Sequence, residues 1–582
     1  MISIPATTPA RLAARAAERP GAVALEVCGA GRLTLREWDE RSTAAAQGLV
    51  SAGIRPDDRV VIWCDNTDLL DSAVAYLAVH KAGAVAVPVQ RRSGQNHLRQ
   101  VCDKASAAAI VGSVTDADLP VRSVPVRALE TGGPAVLPQV RPQDDAEILF
   151  TSGTTGRPKG VVASHECLLC THKTVDPEQE EHVVLHALQT ASLAGQGLLL
   201  QPLDGTPHRV IALAGYDDRS FAEAIARYQP THVVLVPALA LSLIDSRAAE
   251  TFDTSSVRVV RTISAPIAPA ALANLAALFP AADTINMYTS TEAFPARVKI
   301  TYDPIRPGSV GRSARSGTIR VVDDAGVSTA PNNAGNVELR VMDGPRRRYL
   351  DDEAATAAVF REGGWVRTGD IGFLDVKGFL FLLDRHQDLV ISGGFNISTI
   401  EVEAVLHEYP GVREAAAFAL PHPTLGEYVA AAIVPGPEFD PTGFTEFVWE
   451  KLGPARAPQR ILHAKALPRN EFGKVLKRQL RDEAIRRLGL RRDFGNHLRS
   501  DFEQRVMRIW AEELGASGLD WSADFLSLGG TSLNAMAVVS RIREELRRDV
   551  RRRDLFDSAS LSDFAALAEK ARPARPRVKR SA

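Results

Sequence analysis

Leu149-Phe-Thr-Ser-Gly-Thr-Thr-Gly-Arg-Pro-Lys-Gly-Val-Val162 carries an apolar strand end straight into a run built almost wholly of Gly, Thr, Ser and Lys. Gly153, Gly156 and Gly160 let the main chain bend without a Cβ penalty, so that successive N–H groups can converge on an anion as a nest. The hydroxyls of Thr151, Ser152, Thr154 and Thr155 add donors, and Lys159 adds a point charge. A backbone of this kind is suited to holding phosphate. It is not a Walker A loop, which needs G-x-x-x-x-G-K-[ST]; here the glycines stand too close together and Gly160 follows the lysine. A kinase or GTPase reading therefore falls, and a ligand-free surface turn is the alternative for the stretch taken alone.

The chain has 582 residues, more than one hydrophobic core can organise, and about three or four domains are expected. Its 45% apolar and 24% charged residues are those of an ordinary soluble globular protein. A net charge of -1 gives no overall attraction to nucleic acid or to an anionic membrane, so any polyanion has to be bound locally. The five cysteines all lie in the first third and form no framework, which points to a reducing cytoplasm. Cys167-Leu-Leu-Cys170 has no second pair, and neither a metal nor a redox centre is expected there. The apolar run from His232 to Ile244 is broken by Pro237 and is too short to span a bilayer. Arg11, Arg15 and Arg19 are followed by no continuous apolar stretch, so the start reads as an amphipathic helix and not as an export signal.

Between Thr7 and Gly112, apolar strands such as Asp58–Trp63 and Gly83–Pro88 alternate with Ala-rich helices, the pattern of α/β layers around a mostly parallel sheet. Residues 144–150 form another strand, and the phosphate loop hangs off its end, where open α/β sheets place ligands. Further units run through Val183–Leu185, Thr231–Val236 and the helix Pro269–Leu278 to Thr284-Ile-Asn-Met-Tyr-Thr-Ser-Thr-Glu292. Beyond Pro304 short strands with Gly and Pro turns suggest a small β-rich part that closes a large core of residues 1–384. Residues 385–483 are long enough for a compact, mobile α+β subdomain, 484–499 read as an Arg-rich linker, and 572–582 as a solvated basic tail. Residues 500–571 form an all-α, four-helix unit in which Phe502, Val506, Ile509, Trp510 and Leu514 recur at helical spacing.

The phosphate loop and four later stretches together resemble the adenylate-forming superfamily of acyl- and aryl-CoA ligases, nonribosomal peptide synthetase adenylation domains and luciferases. Tyr288-Thr-Ser-Thr-Glu292 resembles its Y-G-x-T-E, Thr368-Gly-Asp370 its T-G-D, residues 384–403 its hinge and glycine hairpin, and Leu467-Pro-Arg-Asn-Glu-Phe-Gly-Lys474 its L-P-x-x-x-x-G-K. Phe525-Leu-Ser-Leu-Gly-Gly-Thr-Ser-Leu533 is similar to the signature of a peptidyl or aryl carrier protein. The resemblance implies activation of a carboxylic acid with ATP as an acyl-AMP, then capture by a thiol.

Joining a carboxylate to the α-phosphate of ATP brings two anions together, so cations and hydroxyls have to meet at one point. Thr151 to Lys159 would cradle the β- and γ-phosphates, and Glu292 would hold Mg2+, a hard ion that keeps oxygen ligands while bridging phosphates. Thr291 would donate to the α-phosphate, Tyr288 would offer adenine a flat face, and Asp370 would accept from the ribose hydroxyls. The resemblance places Arg385 beside the ribose and Ala265 on the nucleotide side. Lys474 would lie between the substrate carboxylate and the α-phosphate. Taken one by one, Tyr288 reads equally as a core tyrosine, Asp370 as a turn residue and Lys474 as a solvated cation.

Ser532 precedes the apolar run Leu533, Met536, Val539, so it stands at a helix start, either as an ordinary N-cap or as the attachment point of 4'-phosphopantetheine. Behind an adenylating enzyme the second reading is preferred, and it implies a phosphopantetheinyl transferase and downstream condensation or tailoring enzymes as partners. Lys474 must then withdraw before the thiol arrives, with Gly393-Gly394 giving the arm close backbone approach. Five positions depart from the family pattern: Thr289, Ile263-Ser264, Gln387 and Thr399 replace, in turn, glycine, a glycine pair, lysine or aspartate, and proline. Leu188-Gln-Thr-Ala-Ser-Leu-Ala-Gly195 contains no acid to pair with an α-ammonium, and burying one unpaired is costly. An aryl acid or a short to medium acyl chain is expected, lined by Ser192, Gly195, Pro237, Ser264 and Thr289. A ligase releasing free acyl-CoA and a catalytically dead scaffold are the alternatives.

Overall fold

The computed structural model describes residues 6–112, 121–151, 159–172, 179–313, 315, 317–342, 346–385, 388–392, 395–422, 425–454, 456–470, 474–488, 501–514, 521, 525, 532–556, 558 and 560–574. The described residues form four sheets. A seven-stranded sheet runs Arg348–Tyr349, Lys159–Ser164, Asp145–Thr151, Val85–Gln90, Arg59–Cys64, Ala109–Val111, Ser123–Val124. An eight-stranded sheet runs Val298–Thr301, Asp283–Tyr288, Val259–Thr262, His232–Leu235, His182–His186, His208–Ala212, Val23–Val27, Gly31–Thr34. The helix Leu69–Lys81 touches strands of both sheets. Its sequence, LLDSAVAYLAVHK, is apolar nearly all round, and a helix of that kind has to be buried on every side. The helix Leu35–Ser51 packs against it, and the indole of the wholly buried Trp38 donates to the Ala73 carbonyl at 2.9 Å.

In the eight-stranded sheet the strands that lead towards the candidate site are parallel. Asp283–Tyr288, Val259–Thr262, His232–Leu235 and His182–His186 lie side by side in parallel, so the segments that follow them all leave from one edge. Residues 152–158, which connect Asp145–Thr151 to its antiparallel neighbour Lys159–Ser164, lie outside the described residues.

The texture change beyond Pro304 corresponds to a five-stranded antiparallel sheet, ordered Ser309–Gly311, Leu380–Arg385, Trp365–Leu374, Gly335–Arg340, Ile319–Val322. A further sheet is built on the long hairpin Val412–His422 with Gly426–Pro435, flanked by the helices Thr399–Glu408 and Lys477–Arg487. The helices Asp501–Leu514, Ser532–Glu545, Arg552–Phe556 and Leu561–Lys570 enclose a core of their own, centred on Trp510, Phe525 and Phe564. In that bundle Val539 is buried but Met536 is 46% exposed, and the inner face of Ser532–Glu545 is Ala535, Val538, Val539 and Ile542. A three-residue step falls short of a full turn by about 60°, so a run spaced by three slides off the buried stripe. Among the described residues no helix is long and apolar enough to cross a membrane. The five cysteines are free, and the Cys170 thiol donates to the Cys167 carbonyl at 2.9 Å.

The junction near Asp384 is fastened by a polar clasp. One oxygen of the buried Asp384 carboxylate accepts from the Thr399 N–H at 2.6 Å and from the Thr399 hydroxyl at 2.7 Å, and the other accepts from the Arg385 N–H at 2.7 Å. Lys477 donates to the Thr399 hydroxyl and pairs with Glu403 at 2.8 Å. Thr399 stands where the resemblance leads one to expect proline, which has no N–H to give. Thr399→Val, which keeps the N–H and removes the hydroxyl, is expected to weaken this junction by about 1 kcal/mol. Amide exchange of residues 383–400 then quickens roughly fivefold, and an unaltered rate would show that the clasp carries no weight.

Candidate active site

Tyr288 ends the strand Asp283–Tyr288, and Asp370 lies on Trp365–Leu374 of the five-stranded sheet. They meet across the gap between the two sheets, the Tyr288 hydroxyl donating to Asp370 Oδ2 at 2.5 Å. Burial and then the Asp370 charge push the Tyr288 phenol well above its ordinary value, so it stays protonated and remains a donor. Arg385 pairs with Asp370 in register on the neighbouring strand, its Nε 3.4 Å from the other carboxylate oxygen. The Asp370 side chain is only 12% exposed, so the two partners hold it in one orientation.

Lys474 approaches the same carboxylate from the far side of the hinge. Its backbone N–H donates to Asn470 Oδ1 at 2.8 Å, and its carbonyl accepts from the Asn470 N–H at 2.8 Å, a closed turn that fixes the lysine's base. Burial first, and the Arg385 guanidinium next, push the Lys474 ammonium down to about 8, while Asp388 and Asp370 pull the other way. A cation held this far below its ordinary value lacks enough counter-charge nearby, and an incoming anion would supply it.

The phosphate loop's two ends are described, and Ser152, Gly153, Thr154, Thr155 and Gly156 lie outside the described residues. Thr151 donates to the Lys159 carbonyl at 3.4 Å and pairs with it in register. A Cβ on Gly160 would come within 2.9 Å of Ile148 Cγ2, so the strand leaving the loop needs glycine to pack there. The Lys159 ammonium lies 4.9 Å from the centre of the Tyr349 ring, and the Tyr349 hydroxyl donates to Glu292 Oε1 at 3.0 Å. Glu292 and Thr291 are both half-buried. Glu292 makes no ion pair among the described residues, and a single carboxylate of this kind fits a hard divalent cation only when phosphate oxygens complete its shell. Tyr349 belongs to none of the sequence motifs. It arrives through the pairing of Arg348–Tyr349 with Val161 and Val162, a contact between distant segments that no local pattern signals.

The residues expected to line the acid pocket all follow the aligned strand ends. Ser192 caps the helix Leu193–Leu200, its hydroxyl accepting from the Gly195 N–H at 3.0 Å and donating to the Gln189 carbonyl at 2.8 Å. Gly195 is buried, and a Cβ there would stand 2.0 Å from the Gln189 carbonyl oxygen, so this position serves close backbone packing. Pro237 is the buried first residue of the helix Pro237–Ser246. Ser264 is exposed with φ +75, the left-handed conformation that a glycine would take without strain, and Ala265 beside it is half-buried. Thr289 spends its hydroxyl on the Ala296 carbonyl at 2.7 Å. Ser532 is the first residue of the helix Ser532–Glu545, and its side chain lies outside what is described.

Three family models match the chain. The AMP-binding enzyme model covers residues 12–343, the AMP-binding enzyme C-terminal domain 401–474, and the phosphopantetheine attachment site 504–568. Among curated proteins, the 3-[(3aS,4S,7aS)-7a-methyl-1,5-dioxo-octahydro-1H-inden-4-yl]propanoyl:CoA ligase of Mycobacterium tuberculosis is 32% identical over 524 residues, spanning 83% of this chain and all of its own. The oxalate–CoA ligase of Arabidopsis thaliana is 29% identical over 495 residues, 79% of this chain and 95% of its own. Among solved structures, ATP-bound MatB from Rhodopseudomonas palustris superposes with a TM-score of 0.72 at 27% identity, covering 82% of this chain and 98% of its own. The chain belongs to the AMP-binding family of adenylate-forming acid–thiol ligases and carries a phosphopantetheine attachment domain of its own.

Proposed function

We propose that this enzyme converts a carboxylic acid and ATP into an acyl-AMP and pyrophosphate, and passes the acyl group to the phosphopantetheine thiol on its own Ser532, releasing AMP. The observation that carries the reading is the presence, in one chain, of both parts of an adenylating enzyme and an attachment domain whose candidate serine opens a 14-residue helix. A tethered thiol has an effective concentration of order mM, which favours the chain's own arm over dilute acceptors.

In this reading Lys474 lies between the attacking carboxylate and the α-phosphate and balances the charge that gathers there. Tyr288 stacks on adenine, Asp370 and Arg385 hold the ribose, Ala265 borders the nucleotide, and Thr291 donates to the α-phosphate. Thr151 and Lys159 bracket the β- and γ-phosphates together with the loop between them. Glu292 would hold Mg2+, which when bound screens the triphosphate charge. The acid is an aryl or short to medium acyl acid, supported by the absence of any acidic residue from Leu188 to Gly195. The loaded carrier is consumed by condensation or tailoring enzymes of a natural-product assembly line, after a phosphopantetheinyl transferase has acted on it. The names of the curated relatives favour a second reading, a ligase that releases free acyl-CoA.

Ser532→Ala separates the two readings. Acid-dependent exchange of pyrophosphate into ATP is expected to stay within about twofold of the parent enzyme, because the serine takes no part in adenylation. Thioester on the protein is expected to vanish, and a variant that loses no product would select the CoA ligase. In that exchange assay, α-amino acids are expected to rank below aryl and short acyl acids.

The Lys474 charge is complete below its folded value of about 8 and is lost as pH rises through it. The kcat/KM for acyl-AMP formation should therefore fall on an alkaline limb near pH 8. Lys474→Ala is expected to lower the rate by about 10²–10³ and to remove that limb, and a limb that survives would assign the titration elsewhere.

A further inference from the structure

Tyr349 touches two of the residues on which the nucleotide reading depends. Its ring lies under the Lys159 ammonium at 4.9 Å, and its hydroxyl donates to Glu292 at 3.0 Å. The side chain is not free to choose these partners. Its backbone is stitched to the strand that leaves the phosphate loop, Tyr349 opposite Val161, with the Leu350 N–H donating to the Gly160 carbonyl at 2.8 Å. The other side is tied by the Tyr349 N–H donating to the Thr356 hydroxyl at 3.0 Å, and the ring meets Phe360 edge-on at 5.8 Å. Tyr349 is 8% exposed.

The arrangement keeps opposite charges apart. Lys159 and Glu292 lie close enough to one tyrosine to share it, yet among the described residues they form no ion pair with each other. The lysine is held by the face of the ring and the carboxylate by its polar tip, an amphipathic use of one aromatic group. Were they to pair directly, the lysine would lose its reach towards phosphate and the carboxylate its free oxygen. The hydroxyl occupies only Oε1, so among the described residues Oε2 remains available to a cation.

We propose that Tyr349 is a positioning residue that holds Lys159 and Glu292 apart and aimed at the triphosphate and its divalent cation, an inference that rests on the roles proposed above for those two residues. In this role Tyr349 acts only through Lys159 and Glu292. Its removal changes how metal and triphosphate bind and leaves the acid's affinity alone.

Binding of ATP to the full chain, followed by calorimetry with excess chelator and then with Mg2+ titrated in, tests this without any turnover. Tyr349→Phe keeps the ring and removes the donor, so affinity for metal-free ATP should stay within about twofold while the Mg2+ needed for half-maximal tightening rises roughly tenfold. Tyr349→Leu also removes the ring, and metal-free ATP should then bind about threefold more weakly as well. A Tyr349→Phe protein with the parent's Mg2+ dependence overturns the proposal. Glu292→Gln provides a second check: adding Tyr349→Phe to it should shift the Mg2+ dependence no further. An additive shift overturns the proposal, since the hydroxyl would then act apart from the carboxylate. A parent enzyme that binds no ATP would instead overturn the nucleotide reading itself.

Discussion

The Asp370 carboxylate is where three separately built parts of the chain converge: Tyr288 from the eight-stranded sheet, Arg385 from the strand that ends at the hinge, and Lys474 from beyond it. Its two oxygens are each taken by a partner, so the single negative charge is shared and cannot satisfy every cation within range. Lys474 is the cation left short, which is why its ammonium is pushed down to about 8 although an aspartate lies close by. The folded protein thus contains a half-buried positive charge with incomplete compensation, next to a surface where nucleotide phosphates are expected. Folding alone leaves that imbalance in place, and binding of an anion would relieve it.

That imbalance survives only if the smaller lobe is held in position, and the hinge supplies the restraint. Asp384 is buried and takes three donors, two of them from Thr399, while Lys477 bridges Thr399 and Glu403. Burial nevertheless raises the Asp384 carboxyl above its ordinary value, so this charge sits in a poor dielectric and depends on every one of those donors. A clasp made of hydrogen bonds to one carboxylate is strong while all of them are made and weak once one is lost. On the proposed reading, such a junction would suit a lobe that stays for one half-reaction and leaves for the next.

The sequence made the alternating α/β core visible because parallel strands buried on both faces are continuous apolar runs, and because each motif was short and local. Tyr288, Asp370, Arg385 and Lys474 could be named from four stretches without knowing that they meet. What stayed hidden was set by contacts between distant segments. Tyr349 reaches Glu292 only because Arg348–Tyr349 pairs with Val161 and Val162, and a two-residue strand leaves no periodic trace. Thr399 looked like a departure from pattern; its place opposite Asp384 required the fold. Met536, part of the apolar run after Ser532, is exposed, since three-residue steps follow the buried stripe of a helix for barely two turns.

The residues proposed to line an acid pocket obey a different constraint. Ser192 has its hydroxyl committed to both Gly195 and Gln189, Gly195 has no room for a side chain, and Thr289 is tied to Ala296. The polar groups that the sequence offers along these strand ends are therefore largely spent on holding the segments in place. On the proposed reading, selectivity must then come from shape and from the cost of stranding charge. Those two sources discriminate unequally. A missing methylene in an apolar pocket is worth only about 10- to 200-fold, so acids of neighbouring length would be separated weakly. An unpaired ammonium is penalised far more steeply, because its hydration is lost without replacement. An enzyme built this way would tolerate related acids and exclude zwitterions, leaving finer choice among acyl groups to whatever consumes the loaded carrier.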